Sequence, residues 1–385
     1  MTSLVGAASP PGGPTTSRIL MKGNEAMAEA AVQAGCDAYF GYPITPQAEL
    51  LEWMARRMPE EGRAFVQAES ELGAVNMALG AAAVGARVLL STSGPGMSLM
   101  AETMSYMAGS ELPVVLIDVM RGGPGLGNIA PGQADYSQAT RGHGHGDYRV
   151  PVLAPGSIGE AIRMVALGFE IAERYRTPVI LLADGLIGQA MEPVEAALRH
   201  VPRVEADWAL TGARDRPPRV VKSVRLEPDD LEEHNDHLQR KYAAIRTSEV
   251  RWAGEDLDDA EFLLVAYGTA ARVCEDVLVA ARDRGLRVGL FRPITLWPFP
   301  ERKLAALAER VAGMLVVELS AGQMLDDVRL AVEGRCPVAF HGRTGGVLPA
   351  PAEILVILER LARPARPPAR GWPRARWRPW PLSPP

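Results

Sequence analysis

Apolar residues follow two different spacings along the chain, and these alternate from residue 21 to about residue 189. Apolar positions at helical spacing predict helices at 25–34, 47–57, 71–83, 97–108 and 157–175. Short apolar runs between them predict strands at 38–42, 64–68, 87–91, 113–120 and 178–183. Nearly unbroken apolar runs are typical of strands that are buried on both faces of a parallel sheet. The pattern therefore predicts an α/β domain in which helices flank a parallel sheet.

The same alternation returns from residue 262 and predicts a second, smaller α/β domain. Between the two regions, at about 191–255, the sequence is charged and contains prolines. Within this stretch the residues at spacings of four and three are Leu231, Asn235, Leu238, Tyr242 and Ile245, and they predict one helix that begins near Asp229 and Asp230.

The composition of the two ends of the chain differs from that of the predicted domains. The first residues are rich in Gly, Pro, Ser and Thr, and the last are rich in Pro, Arg and Trp, so both ends are expected to be disordered. The expected organisation is a disordered N-terminus at 1–18, a first domain at 19–200, a linker with a helix at 201–258, a second domain at 259–363 and a tail at 364–385.

The overall composition of the 385 residues narrows the class of function. Hydrophobic residues make up 47% and charged residues 23%, which is typical of a soluble globular protein. The formal net charge of −5 gives no basic patch for nucleic acid. No apolar stretch reaches the roughly 18–20 residues that span a bilayer, and no signal peptide is predicted at the start. We therefore expect a cytoplasmic protein with neither nucleic acid nor membrane as a partner.

Cysteine and histidine give no sign of a metal site. Cys36, Cys274 and Cys336 are far apart, whereas an iron–sulfur cluster needs about four thiolates. His143 and His145 form one close pair, and His234 and His237 form another. Because neither pair has an evident third and fourth ligand, no metal is expected on this chain.

The first chemically suggestive segment is Gly41-Tyr42-Pro43-Ile44-Thr45-Pro46. Its pattern predicts a strand end, a tight turn and a helix that Thr45 caps, with Pro46 at the first helical position. Such a start displays a hydroxyl and free backbone N–H groups to an anion. An ordinary helix cap explains the same residues.

The second segment, 67–74, carries Glu69 and Glu71 just before a helix rich in small residues. Small residues let a flat ligand approach the backbone, and a desolvated carboxyl in such a pocket can share a proton. Both acids are equally explained as first-turn residues that the helix dipole favours.

The third segment places Arg121 at the end of a buried strand, before the glycine-rich stretch 122–127. Ligands of open α/β sheets bind at this edge, and the planar arginine fork suits a carboxylate. Alternatively, Arg121 only holds its own loop. The glycines do not form a dinucleotide-binding motif, because no helix follows them at the required place.

These segments, taken in order with two later ones, resemble a known family. The sequences YPITP, ESELGA, MRGGPGLGNIAPGQADY, ILLADGLIGQAMEPVE and AYGTAAR…GLFRPITLWPFP are similar to the alpha subunit of 2-oxoacid:ferredoxin oxidoreductases of the branched-chain and 2-oxoglutarate types. The resemblance covers about residues 18–360. It implies that the first domain is the pyrimidine-binding domain of thiamine enzymes and that the second is like the transketolase C-terminal domain.

The resemblance also implies the site residues. The glutamate that activates thiamine diphosphate corresponds to Glu71, whose carboxyl would bind N1′ of the aminopyrimidine and thereby promote loss of the C2 proton. Thr45 and Arg121 correspond to the residues that hold the substrate carboxylate. Pro43 and Ile44 are expected to contact the cofactor.

Other chains are implied as well. Thiamine enzymes of this kind hold the diphosphate and Mg²⁺ with a GDG motif and a later Asn, but here the nearest string is Ala183-Asp184-Gly185 and the next Asn is Asn235. The resemblance therefore implies a beta-type subunit that supplies this half of the site. It further implies a ferredoxin-like subunit with iron–sulfur clusters, a gamma-type subunit, coenzyme A as acyl acceptor and a chain that is inactive alone.

Two other functions remain open at this point. One is half of a non-redox thiamine-dependent lyase or synthase, and the other is a scaffold subunit without catalysis. Retention of Thr45, Glu71 and Arg121 together disfavours the scaffold. The loop after Arg121 resembles the branched-chain type, which favours 3-methyl-2-oxobutanoate over 2-oxoglutarate as substrate.

Overall fold

The computed structural model describes residues 18–142, 144–195 and 201–362. The first part contains β1 (Arg18–Lys22), α1 (Gly23–Gln33), β2 (Ala38–Gly41), α2 (Ala48–Glu60), β3 (Ala64–Gln67), α3 (Glu71–Ala83), β4 (Val88–Thr92), α4 (Pro95–Gly109), β5 (Val114–Met120), α5 (Tyr136–Arg141), β6 (Val152–Leu153), α6 (Ile158–Tyr175), β7 (Pro178–Asp184), α7 (Gly185–Gln189), β8 (Met191–Glu195) and α8 (Pro228–Ser248). The second contains β9 (Trp252–Glu255), β10 (Phe262–Val265), α9 (Gly268–Arg282), β11 (Val288–Pro293), β12 (Thr295–Trp297), α10 (Glu301–Ala308), β13 (Gly313–Glu318), α11 (Gln323–Val332), β14 (Val338–Gly342) and α12 (Pro351–Ala362).

The first sheet has seven strands in the order β12-β6-β7-β5-β4-β2-β3, and all neighbours are parallel except β12 and β6. Successive side chains of a strand point to opposite faces. On β4, for example, Leu89 packs with α1, α2 and α6, whereas Leu90 packs with α3 and α4. Helices cover both faces, which is why the strands are apolar throughout.

The second sheet has five strands in the order β14-β13-β10-β11-β9, and only β9 is antiparallel to its neighbour. Helices α9 and α12 pack on one face around Cys274 and Leu358. Helices α10 and α11 contribute Leu304 and Met324 to the cluster on the other face. The predicted α/β class is therefore confirmed in both regions.

Two pairings join segments that are distant in sequence. Strand β12, which lies within the stretch expected to form the second domain, pairs with β6 and forms an edge of the first sheet. Strands β1 and β8 pair separately as a two-stranded antiparallel sheet. The proposed domain bounds remain predictions.

The predicted helix near Asp229 is present as α8, and Leu238, Tyr242 and Ile245 are its buried residues, whereas Leu231 and Asn235 of the predicted set are exposed. The expected disorder at 1–17 and 364–385 lies outside the described residues. Arg18, which was expected to belong to the disordered start, is instead the first residue of β1. In the described ranges, no helix is long and apolar enough to cross a membrane.

The predicted cap of α2 is wrong. The helix begins at Ala48 with Gln47 at the cap position, and the bond between Thr45 and Pro46 is cis. Neither Thr45 nor Pro46 is therefore part of the helix. The reason is that Gln47 turns inward, where its side chain bonds the chain that leaves β2 and fixes the turn before the helix begins.

Candidate active site

The first sheet has a crevice where its strand order reverses. From β2 the chain passes through α2 to β3 on one side, and then through α3 to β4 on the other side of β2. In open α/β sheets, ligands bind at the carboxyl ends of strands at such a switch point. The three segments singled out in the sequence follow β2, β3 and β5 at this same edge.

Side chains that the sequence did not reveal build the turn after β2. Gln47 Nε2 donates to the Tyr42 carbonyl over 3.2 Å, and Ser91 Oγ donates to Gln47 Oε1 over 2.7 Å. Asn24 Nδ2 donates to the Pro46 carbonyl over 2.6 Å. Because Gln47 and Asn24 are fully buried, the turn rests on a rigid base.

The residues of this turn that were predicted to contact a ligand lie at the surface of the crevice. Pro43 and Thr45 are exposed, and Ile44 is half-buried. No local pattern could have identified Gln47, because its partners lie at the ends of two different strands.

Glu71 is the first residue of α3, and Ser70 caps this helix by accepting a hydrogen bond from Gly73 N over 3.1 Å. Glu71 is only 5% exposed, whereas Glu69, two residues earlier, is exposed. The structure thus separates the two acids, and Glu71 is the one that points into the protein.

A glycine at the start of α4 makes room for the Glu71 carboxyl. A Cβ atom at Gly96 would lie 2.5 Å from Glu71 Oε1 and would also collide with the Thr92 hydroxyl. That hydroxyl is buried and has no hydrogen-bond partner among the described residues. Glu71, Thr92 and the Gly96 backbone therefore form one compact polar niche beside the crevice.

Arg121 lies on the other side of the same turn. A Cβ atom at Gly94 would be 3.6 Å from Arg121 Cγ. The guanidinium donates from Nη1 to the Thr45 carbonyl and from Nη2 to the Leu126 carbonyl, each over 2.9 Å. Arg121 thus holds its own loop, as one interpretation predicted, and also joins it to the turn that carries Thr45.

Two buried acids behind Arg121 were missed. Asp118 lies beside Thr92 in the register of β5 and β4, and it interacts with Asp135 near Arg121. Burial, and then the Asp135 charge, raise the pKa of Asp118 well above its usual value. Burial raises the pKa of Asp135 to about 6. The available signal was that Asp118 is the one charged residue in the apolar run 113–120.

Comparison with known proteins identifies the family of this chain. Residues 29–250 match the family described as pyruvate flavodoxin/ferredoxin oxidoreductase, thiamine diP-binding, and residues 260–354 match pyruvate:ferredoxin oxidoreductase core domain II. The chain belongs to the 2-oxoacid:ferredoxin oxidoreductase family.

Full-length relatives support this membership. The ketoisovalerate oxidoreductase subunit VorB of Methanothermobacter marburgensis is 49% identical over 346 residues, which are 89% of this chain and 97% of that protein. The 2-oxoglutarate synthase subunit KorA of Methanothermobacter thermautotrophicus is 34% identical over 379 residues, with coverages of 90% and 100%. The chain is therefore a subunit of an oxidoreductase of this family.

Solved structures agree with the fold. The 2-oxoglutarate:ferredoxin oxidoreductase from Magnetococcus marinus, with 2-oxoglutarate, coenzyme A and succinyl-CoA bound, aligns with a TM-score of 0.81 and 25% identity over 90% of this chain and 65% of that chain. A split-gene transketolase, an inactive beta4 tetramer, aligns with a TM-score of 0.56 and 15% identity over 89% of this chain and 98% of that one. The second likeness concerns the fold alone.

The niche at Glu71 fits one half of the thiamine diphosphate of this family. A buried carboxyl beside a close backbone approach suits the flat aminopyrimidine ring. Within 18–142, 144–195 and 201–362, no group of three or more His, Cys, Asp or Glu side chains is placed to hold a metal ion. The described residues thus fit the pyrimidine half and offer no such acidic set for the diphosphate and its metal.

The cysteines, and the histidines of the two pairs that the structure describes, lie outside this crevice. All three cysteines are buried in separate places, and burial raises the pKa of Cys36 to about 12, so that its thiol stays protonated at neutral pH. His234 Nε2 lies 2.7 Å from the Gly109 carbonyl, and His237 Nε2 lies 2.9 Å from Glu111 Oε1. His145 is exposed, and His143 lies outside the described residues.

Proposed function

We propose that this subunit and a beta-type partner catalyse the oxidative decarboxylation of a 2-oxoacid with coenzyme A. The products are acyl-CoA and CO₂, and two electrons pass one at a time through iron–sulfur clusters to ferredoxin. The observation that carries the proposal is the Gly94–Gly96 turn, which lies against Arg121 on one side and against Glu71 on the other. A carboxylate-binding fork and a proton-sharing carboxyl thus stand at one crevice.

Each side chain has a distinct role in this proposal. When bound, thiamine diphosphate supplies the carbon nucleophile that attacks the 2-oxo carbon. Glu71 holds a proton at N1′ of the aminopyrimidine, and Pro43 and Ile44 contact the cofactor from the exposed turn. Thr45 and Arg121 hold the substrate carboxylate until it leaves as CO₂.

The hydrogen bonds of Arg121 leave it free for this role. Nη1 and Nη2 each donate one N–H to a backbone carbonyl, and each nitrogen carries a second N–H. Two parallel N–H groups of a guanidinium can bind one carboxylate in bidentate fashion. The contacts with Thr45 and Leu126 therefore orient the guanidinium and leave one N–H of each Nη nitrogen to bind a carboxylate.

Branched-chain substrates suit the loop after Arg121. Residues 122–135 contain no lysine or arginine that could bind the second carboxylate of 2-oxoglutarate. Instead, Leu126 and Ile129 expose 79% and 64% of their surface. Together with the higher identity to the ketoisovalerate relative, this supports 3-methyl-2-oxobutanoate as the preferred substrate and 2-oxoglutarate as the next.

Exposed apolar residues beside the niche support a partner chain there. Leu72 and Met77 on α3 are each 45% exposed, and Leu99 on α4 is 52% exposed. Large apolar side chains grouped at a surface mark interaction sites. We propose that the beta-type subunit, with the diphosphate and Mg²⁺, covers this face, and that ferredoxin-like and gamma-type subunits complete a cytoplasmic complex.

The test is the steady-state rate of the co-purified complex on a panel of 2-oxoacids, read out as ferredoxin reduction. We expect kcat/KM for 3-methyl-2-oxobutanoate to exceed that for 2-oxoglutarate at least about tenfold. The isolated chain, as control, should hold neither thiamine diphosphate nor iron–sulfur absorbance. Decarboxylation without ferredoxin reduction would instead identify a non-redox lyase, and no turnover by the assembled complex would identify a scaffold.

A further inference from the structure

The second sheet has its own switch point. Strand β10 has β11 on one side and β13 on the other, and the chain leaves β10 for β11 before it crosses to β13. The crevice between the carboxyl ends of β10 and β13 is the place where an open α/β sheet binds a ligand.

A side chain of the first domain occupies this crevice. Gln133 Nε2 donates to the Tyr267 carbonyl just after β10, and Gln133 Oε1 accepts from Leu319 N just after β13, both over 2.9 Å. The backbone N–H of Gln133 also donates to the Leu319 carbonyl over 2.9 Å. Gln133 is fully buried, so its amide satisfies strand ends that no solvent reaches.

Gln133 belongs to the loop that begins at Arg121. Arg121 and Pro131 form an antiparallel bridge, and Gly122 N donates to the Ala130 carbonyl over 3.0 Å. At Gly132, a Cβ atom would lie 2.8 Å from the Arg121 carbonyl oxygen. One residue, Gly132, thus separates Gln133 in the crevice from Pro131 in the backbone bridge that sets the position of Arg121.

Other residues of the second domain hold the same loop. Asn128 Nδ2 donates to the Gly345 carbonyl over 2.9 Å. Gln323 Nε2 donates to the Ala134 carbonyl, and Gln323 Oε1 accepts from Ser137 N, each over 2.7 Å. The loop is therefore attached to the second domain on both sides of Gln133.

We propose that Gln133 is a positioning residue, through which the second domain sets the orientation of Arg121 toward the substrate carboxylate. In this arrangement the second-domain crevice binds a protein side chain and no small molecule. The inference rests on the proposed function, because it assumes that Arg121 binds a 2-oxoacid.

The test compares Gln133→Met with Arg272→Met. Methionine has nearly the length of glutamine but makes neither side-chain hydrogen bond. Arg272 Nη1 forms a 2.7 Å ion pair with Glu192 Oε1, which also links α9 to the first domain but does not touch the loop. It is therefore a matched control for a lost contact between the domains.

The first readout needs no partner or cofactor. In hydrogen–deuterium exchange of the full chain, Gln133→Met should speed exchange at the amides of Gly122 and Asn128 by about 10- to 100-fold, the effect of losing two buried hydrogen bonds. Arg272→Met should leave both amides at the wild-type rate. Unchanged loop amides in Gln133→Met would overturn the proposal.

The second readout uses the assembled complex. Gln133→Met should raise KM for 3-methyl-2-oxobutanoate about tenfold or more, because a small misplacement of a binding group is costly. Proton exchange at thiamine C2 without substrate should stay within about twofold, since Glu71 is not attached to this loop. Equal losses in both measurements would show a merely structural role and overturn the proposal.

Two further variants keep the outcomes separable. If Gln133→Met does not fold, Gln133→Asn retains an amide that is one methylene too short to reach both strand ends, and wild-type values in that variant would contradict the proposal. If Arg121→Lys leaves KM unchanged, the carboxylate-binding role of Arg121 in the proposed function fails. If Arg121→Lys raises KM but the Gln133 variants do not, only the positioning role is lost.

Discussion

The two sheets of this chain have the same kind of crevice but fill it differently. In the first sheet, the carboxyl ends of β2 and β4 lie beside exposed Thr45 and buried Glu71, and the Gly96 backbone leaves room for the Glu71 carboxyl. In the second sheet, the ends of β10 and β13 are bonded to the buried amide of Gln133. The first crevice is the one for which we propose chemistry, and the second joins two domains.

The contrast shows what a switch point requires beyond topology. Strand ends at a switch point carry backbone groups that need hydrogen-bond partners. In the first domain, Gly94 and Gly96 let Arg121 and the Glu71 carboxyl lie close to the backbone. In the second, a neutral amide satisfies the backbone and excludes a ligand. Similar folds can therefore host different functions, because function depends on the residues at the site.

The largest effect is expected when the proton-sharing carboxyl of the first crevice is replaced. Glu71→Gln keeps the size and the hydrogen bonding of the side chain but cannot share a proton. In the assembled complex, it should slow H/D exchange at thiamine C2 by about 10²–10⁴-fold, as is typical for loss of a general acid–base group. Nuclear magnetic resonance of the cofactor after acid quench measures this rate.

Glu69→Gln is the matched control, since Glu69 is exposed and two residues away. It should remain within a few fold of wild type. If the two variants exchanged these outcomes, the assignment would be wrong by two residues. If neither slowed exchange, Glu71 would have no catalytic role.

A smaller effect is expected at the carboxylate-binding side of the same crevice. Arg121→Lys replaces a planar fork with a point charge, so it should mainly raise KM for the 2-oxoacid. Loss of such a charged hydrogen bond costs about 1.5–3 kcal/mol, or roughly a 10- to 150-fold loss in kcat/KM. Steady-state kinetics equal to wild type would show that Arg121 only holds its loop.

The last expected effect is a pH dependence of stability that arises at the first crevice. Burial raises the pKa of Asp135 to about 6 in the folded chain, above its ordinary value. The folded state therefore binds this proton more tightly, and the resulting stability is lost as pH rises from about 4 through 6. Relative to wild type, the unfolding free energy of Asp135→Asn should rise by about 2 kcal/mol between about pH 4 and 7.

Denaturant unfolding of the isolated chain at a series of pH values provides the measurement. Asp118→Asn is the control, because the pKa of Asp118 is raised well above its usual value and asparagine resembles the protonated acid. Its pH profile should follow that of wild type. Parallel profiles for all three proteins would mean that Asp135 titrates as it does in water.

Local sequence patterns were sufficient to predict most of the strands and helices that form the core. Strands buried on both faces appear as apolar runs, and α3 spans Glu71–Ala83, the range that the pattern predicts. Patterns of this kind depend on near neighbours, which the sequence shows directly. Asp118 could have been noticed in the same way, as a charge where the strand offers only apolar positions.

The rest depends on partners far away in the chain. Gln133 and Leu319 are separated by 186 residues, and nothing near Gln133 distinguishes it from an ordinary loop glutamine. The start of α2 was misjudged for a related reason. Thr45-Pro46 has the composition of a helix start, but the buried contacts of Gln47 determine where the helix begins.

Strand β12 has a consequence for how the protein can be made. Its residues Thr295–Trp297 close one edge of the first sheet by pairing with Val152 and Leu153. During synthesis, that edge stays uncovered until the ribosome has released more than a hundred further residues after β6. An unpaired strand edge is a template for aggregation. A chaperone that shields β6 until translation passes residue 297 should therefore improve the soluble yield.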